Sequence, residues 1–205
     1  MPPIEAPADS AQVLRLAQAY DYACRKHVDQ RRKGAGAEPY VNHLAEVAGM
    51  VARATGGHDV NLIIAALLHD VVEDTPTAPE EVEAAFGEDV AALVMEVTDD
   101  KRLPKDERKR LQIEHAAHIS TRARLLKIAD KTSNLRALRL SPPPYWPHAR
   151  KQRYFAWAKA VADKARGVNA WLDAQFDAEY EKALAAGLAD RAFVWSQKLE
   201  TEGDD

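Results

Sequence analysis

A single cysteine, Cys24, is present in 205 residues, which excludes an internal disulfide framework and suits a reducing compartment. The residue is expected to act as a small buried apolar side chain. No apolar run approaches the ~20 residues that a membrane-spanning helix needs. The longest is Leu62-Ile63-Ile64-Ala65-Ala66-Leu67-Leu68. Met1 to Asp9 has neither a positive n-region nor an apolar h-region, so no signal peptide is expected and the cytoplasm is the default. Positive charge is not in excess either. The net charge of −4 gives no global electrostatic case for nucleic acid or an anionic membrane, so a polyanionic ligand would have to meet a local basic cluster. Strand alternation, internal repeats and long linkers are also missing.

What is present is helical periodicity. Val13, Leu14, Ala17 and Tyr20 recur at helical spacing over residues 9–28, with Asp9 or Ser10 as cap. Val41, Leu44, Val47, Ala48 and Val51 mark a second helix ending near Gly56-Gly57. The long apolar run starts near Asp59 and, being apolar on most sides, predicts a central buried helix. Thr77-Ala78-Pro79-Glu80 reads as a capping box for a short helix stopping at Gly87. Val90 to Val97 follows, then a turn at Thr98-Asp99-Asp100-Lys101 and a helix from Lys105 to Ala116 with a mainly solvated charged face. Ser120 caps a helix running to Leu140, where Ser141-Pro142-Pro143-Pro144 forces a break. Further helices are expected over 147–166, around Trp171, Leu172 and Phe176, and over 184–199 with Phe193 and Trp195. The fold class is therefore all-α, one bundle of about eight to ten helices. Residues 1–8 are expected to be a flexible N-terminus, 9–180 the domain, and 181–205 a C-terminal helix and acidic tail.

Chemistry enters where the apolar run ends. His69-Asp70 follows Leu68 directly, and two hydratable groups there gain nothing from burial unless something binds them. The structural alternative is a helix C-terminus at which His complements the dipole and Asp makes a turn. Glu73 and Asp74, one turn later, weaken that alternative, because carboxylates crowded at a helix C-terminus call for a compensating cation. Asp130 and Asn134 sit four apart on another helix and share a face, so a metal ligand and a polar substrate contact can come from one surface. His43 completes a set of two histidines and two carboxylates. Such mixed nitrogen and oxygen donors suit Mn²⁺ or Fe²⁺, and Zn²⁺ less well when positions stay open for water. His27, His58, His115, His118 and His148 read as surface or hydrogen-bonded structural residues.

The pattern His43, His69-Asp70, Asp130 resembles the HD-domain metal-dependent phosphohydrolases. Arg31-Arg32-Lys33, Pro39-Tyr40-Val41-Asn42-His43, His69-Asp70-Val71-Val72-Glu73-Asp74-Thr75, Glu96-Val97-Thr98-Asp99-Asp100 and Lys127-Ile128-Ala129-Asp130-Lys131-Thr132-Ser133-Asn134-Leu135-Arg136 narrow it. They are similar to the hydrolase domain of the RelA/SpoT superfamily, nearest to its stand-alone small alarmone hydrolases of the metazoan type. The resemblance spans roughly residues 9–180. It implies removal of the 3′-pyrophosphate of ppGpp or pppGpp with Mn²⁺ as the usual ion, other divalent metals being admissible. It places metal ligands at His43, His69, Asp70 and Asp130, and the water-activating pair at Glu73 and Asp74. Substrate contacts fall at Arg32, Lys33, Asn134, Arg150 and Tyr154. Gly34-Ala35-Gly36-Ala37-Glu38, beside the basic cluster, is flexible in composition.

The implied partner is a small nucleotide, with no nucleic acid and no membrane; a homodimer stays open, as does the role of the segment beyond residue 180. The chain has no room for the synthetase and regulatory domains of the long bifunctional enzymes, so the resemblance implies a constitutive hydrolase. Two alternatives stand beside it: a phosphatase acting on NADPH or adenosine alarmones, and a catalytically silent nucleotide-binding module. The released product, pyrophosphate or single phosphate, separates the enzymes, and retention of every expected ligand argues against the silent module.

Overall fold

Residues 10–195 are described by the computed structural model of the chain. Among them lie ten helical segments, one of them a single turn, and no strand beyond an isolated bridge between Arg31 and Pro39. The segments are α1 (Ser10–Lys26), α2 (Val41–Ala54), α3 (Val60–Leu68), α4 (Val71–Asp74) and α5 (Pro79–Phe86), then α6 (Glu88–Val97), α7 (Lys105–His115), α8 (Thr121–Leu140), α9 (His148–Ala165) and α10 (Ala170–Ala185). No described helix is long and apolar enough to cross a membrane.

The apolar run forms α3, the middle of the bundle, and every one of its residues except Asn61 is buried. Its start is fixed by Asp59, whose Oδ1 accepts the Leu62 amide at 3.1 Å. Around it pack α1, α2 and α6, while α8 lies against α2, α9 and α10. The second long element, α8, starts as the sequence indicates, with Ser120 Oγ accepting the Ala123 amide at 3.1 Å. Unlike α3 it buries polar residues in its middle: Lys127, Asp130, Lys131, Thr132 and Ser133. Burying that many polar groups requires partners for each, so the site must lie along this stretch.

Three local readings change, and the end of the central helix becomes explicit. On α1 the inward face is Ala19 and Ala23, whereas Val13 and Leu14 are 52% and 58% exposed and Cys24 is only half-buried. Small alanines are buried in their place, with Leu16 and Tyr22 partly buried beside them. The cap of α5 is Ala78, not Thr77; Glu81 accepts the Ala78 amide at 3.0 Å, and the Thr77 hydroxyl pairs with Thr75 at 2.7 Å. The central helix stops at Leu68, because the backbone at Asp70 (φ −100°, ψ −1°) leaves helical values before α4 resumes. Finally, α10 runs through residue 180 to Ala185, and residues 186–195 are turn and irregular structure where a helix was expected. Gly187 at φ +67° takes the left-handed turn there. The rest of the expected helix, the acidic tail and the N-terminal segment 1–9 lie outside the described residues.

The glycine-containing stretch is held rather than loose. Arg32 donates its amide to Glu38 O (2.9 Å), Ala37 donates to Gly34 O (3.0 Å), and the Gly36 amide reaches Ser141 Oγ at 3.1 Å. Gly34 abuts the end of α8 so closely that an added Cβ would lie 2.2 Å from the Ser141 carbonyl oxygen. Gly34→Ala is therefore expected to cost about 1–3 kcal/mol in urea denaturation. Gly49→Ala, in α2 with nothing within 4 Å of its added Cβ, is expected to gain about 0.5–1 kcal/mol in the same assay.

Candidate active site

The bundle brings four sequence-distant groups to one point. His43 comes from the first turn of α2, His69 and Asp70 from the junction of α3 and α4, and Asp130 from the middle of α8. One ligand atom each from His43, His69 and Asp130 lies within 4.8 Å of the others. Asp70 joins them: its Oδ2 is 3.2 Å from His69 Nε2 and 3.7 Å from His43 Nε2, while Asp130 Oδ1 is 3.8 and 3.3 Å from the same two nitrogens. A cavity of about 110 Å³ opens beside them.

Local bonds aim each donor. His69 Nδ1 meets the Ala66 carbonyl at 2.8 Å, and because a carbonyl only accepts, Nδ1 carries the hydrogen and Nε2 faces the cavity. The Nε2 atoms of both histidines are buried without a hydrogen-bond partner. Tyr40 donates its hydroxyl to Asp70 Oδ2 at 2.6 Å, leaving Oδ1 outside that bond. Asp130 is held by Lys131 Nζ at Oδ2 (2.9 Å) and Asn134 Nδ2 at Oδ1 (2.6 Å). Two orphaned imidazole nitrogens converging with two carboxylates fit a divalent cation.

Electrostatics point the same way. Burial raises the cost of charge on Asp130, yet Lys131 and the two histidines hold its pKa well below the ordinary carboxylate range. For Asp70, burial is likewise outweighed by His69 and His43. Burial opposes protonation of His69, but Asp70 and Asp130 overcome it and lift its pKa to about 9; for His43 burial prevails and the pKa falls. The two carboxylates thus seek positive charge strongly enough to hold a proton on a buried imidazole.

Glu73 and Asp74 differ in placement. Glu73 lines both the small cavity and the main cleft, accepts the Asp99 amide at 3.2 Å, and is pushed up to a pKa of about 7 by burial and by Asp70 and Asp99. Asp74 lines the main cleft alone, where Gln30 Nε2 (2.8 Å) and Lys101 Nζ (2.5 Å) hold its two oxygens.

The main cleft, about 660 Å³, runs between the 30–40 loop and the end of α8. Arg32, Lys33, Asn134 and Tyr154 line it, and Arg32 NH1 donates to Asn134 Oδ1 at 3.1 Å. Arg150 is not on the wall itself; its guanidinium lies 4.4 Å from the ring centre of Trp146, which is. Burial lowers the Lys33 pKa, and Lys105, Arg150 and Lys101 lower it further. Lys101 and Lys105 had read only as turn and solvated face, and nothing in their spacing marks them. Tyr40, Lys131 and Gln30 also escaped notice as site residues, although Tyr40 and Lys131 stand inside the quoted motifs.

Fold and cluster together define an all-helical protein with a candidate divalent-metal centre. A family profile described as HD domain matches residues 19–162, and the chain belongs to that family. It is 50% identical over 163 residues to guanosine-3′,5′-bis(diphosphate) 3′-pyrophosphohydrolase MESH1 of Drosophila melanogaster, covering 80% of this chain and 91% of the relative. The Homo sapiens protein of the same name is 48% identical over 163 residues, with the same coverage of 80% and 91%. A solved structure described as a metazoan ortholog of SpoT that hydrolyzes ppGpp and plays a role in starvation responses matches with a TM-score of 0.81. That match has 47% identity and covers 86% of this chain and 98% of the other.

The raised pKa of Glu73 has a consequence for stability. Its folded value, about 7, lies above the ordinary 4.5, so between these limits the folded state binds more protons than the unfolded one. Stability of the metal-free protein therefore falls as pH rises through that window. Glu73→Gln removes this contribution, so its advantage over the parent in urea denaturation should grow by about 1–3 kcal/mol between pH 4.5 and 7.5.

Proposed function

We propose that this chain is a metal-dependent hydrolase that removes the 3′-pyrophosphate from guanosine alarmones, converting ppGpp and water to GDP and pyrophosphate. The observation that carries this reading is the juxtaposition of two fields of opposite sign: a histidine–aspartate cluster, and beside it a cleft whose wall carries Arg31, Arg32 and Lys33. A wall of that kind asks for a polyanion carrying several phosphates. The named activity of the fly and human relatives, and that of the solved structure, supply the identity of the polyanion.

In this reading His43, His69, Asp70 and Asp130 hold the metal, and Mn²⁺ suits their mixed nitrogen and oxygen donors. A bound divalent ion acidifies water and polarises a phosphoryl oxygen. Glu73, on the boundary between metal cavity and cleft, takes the water proton; its pKa near 7 suits a general base. The water oxygen bonds to the phosphorus, the bond from phosphorus to the ribose 3′ oxygen breaks, and the proton taken up by Glu73 passes to that oxygen, which leaves as hydroxyl. Asp74 orients the attack and anchors Lys101. Arg32, Lys33, Asn134 and Arg150 bind phosphate and ribose oxygens, and Tyr154 offers a face for the base. The domain extends through α10, which packs on α8, and the single thiol suits a reducing cytoplasm.

Purified protein with ppGpp and Mn²⁺ should release pyrophosphate, with chelator abolishing turnover. Release of single phosphate only, or intact ppGpp, would contradict the assignment. Asp70→Ala is expected to lose both Mn²⁺ and activity, whereas Glu73→Ala should retain Mn²⁺ in calorimetry while kcat falls about 10²- to 10⁴-fold.

A further inference from the structure

The two histidines of the cluster differ in what holds their second nitrogen. For His69 it is a carbonyl, which settles the position of the hydrogen at once. For His43 it is the hydroxyl of Ser133, 2.8 Å from Nδ1, and a hydroxyl can donate or accept. The proton of Ser133 is already committed, because its Oγ donates to Glu46 Oε2 at 2.5 Å. Glu46 is a carboxylate that accepts again from Arg136 on its other oxygen. Ser133 Oγ is thereby left as acceptor towards His43, so Nδ1 bears the hydrogen and the Nε2 lone pair faces Asp70 and Asp130. That Nε2 is buried and otherwise unpartnered.

The chain of bonds does not stop at Arg136. Its Nε donates to Glu179 Oε1 at 3.2 Å, and Glu179, buried on α10, also takes Arg139 (2.8 Å) and Lys182 (2.9 Å). The anchor of the relay therefore sits outside residues 19–162, the part matched by the HD domain profile.

We propose that Ser133 and Glu46 form a relay that orders the proton of His43 and so presets its Nε2 as a metal ligand, making both of them positioning residues of the metal centre. This rests on reading the histidine–aspartate cluster as that centre. In Ser133→Ala the Nδ1 hydrogen loses its acceptor, and the imidazole is free to place its proton on Nε2, next to Asp130. In Glu46→Gln the amide oxygen turns to Arg136 and the amide nitrogen to Ser133. The hydroxyl then donates to His43 Nδ1, which gives the wrong tautomer.

Mn²⁺ titration calorimetry on the full chain, with the melting temperature of the metal-free protein as folding control, tests the relay. Ser133→Ala and Glu46→Gln should each weaken Mn²⁺ about 10- to 100-fold, and the double variant should bind no more weakly than Ser133→Ala alone, because Glu46 acts only through the hydroxyl. Parent-like Mn²⁺ affinity in both single variants overturns the relay, whether or not the melting temperature drops. Effects that multiply in the double variant also overturn it. His43→Ala measured in parallel separates the two levels. If it binds Mn²⁺ like the parent, the metal-centre reading itself fails; if it alone loses Mn²⁺, the centre stands and the relay fails.

Discussion

Two carboxylates, half-buried Asp70 and buried Asp130, face two imidazole nitrogens with no hydrogen-bond partner, and the rest of the structure is organised by the need to compensate that arrangement. In an apolar interior unpaired charge is expensive, and partly satisfied networks are the costliest of all. The bundle answers with a dedicated partner for each acid: the Tyr40 hydroxyl for Asp70, and the Lys131 ammonium with the Asn134 amide for Asp130. Lys131 in turn lies 4.4 Å from the ring centre of Trp157, so an aromatic face on α9 helps carry a cation that α8 buries. What these partners leave unsatisfied is the inner face of the cluster, where a divalent ion fits.

Helix packing and electrostatics are therefore one problem in this molecule. The close approach of α2, α3 and α8 that buries Leu44, Ile64 and Leu126 is the same approach that brings His43, His69 and Asp130 within reach of one point. Outside that point the sign of the charge reverses. The 30–40 loop carries Arg31, Arg32 and Lys33 to the cleft wall, and Asp74 on that wall holds Lys101 from the turn before α7. A negatively charged chain thus presents a locally basic mouth and an acidic floor, a polarity that suits a phosphorylated ligand.

Much of this was legible in the sequence. Helices with strong periodic cores or explicit caps emerge where Asp59, Ser120 and the Ser141-Pro142-Pro143-Pro144 break put them, and the four metal-ligand candidates do meet. The failures share a physical origin. On α1 Val13, Leu14 and Tyr20 face outward while Ala19 and Ala23 are buried, with Leu16 and Tyr22 packed at the edge of the core, a choice of face made by the neighbouring helices and invisible in the helix itself. Over 184–199 apolar residues suggested a helix, yet left-handed Gly187 turns the chain at the end of α10. Lys101 and Lys105 carry no local signal, since a charged turn and a charged first turn look alike whether they face solvent or a phosphate cleft. The relay from His43 to Glu46 spans 87 residues between Ser133 and Glu46, a pairing that only the folded chain reveals.

The central claim is that the two histidine Nε2 atoms and the two aspartates together bind one divalent ion. Anomalous diffraction from crystals grown with Mn²⁺ tests it most directly. One peak within coordination distance of both Nε2 atoms and of Asp70 and Asp130 oxygens is the result expected. A peak elsewhere in the bundle, or none at this cluster with Mn²⁺ in excess, would contradict it.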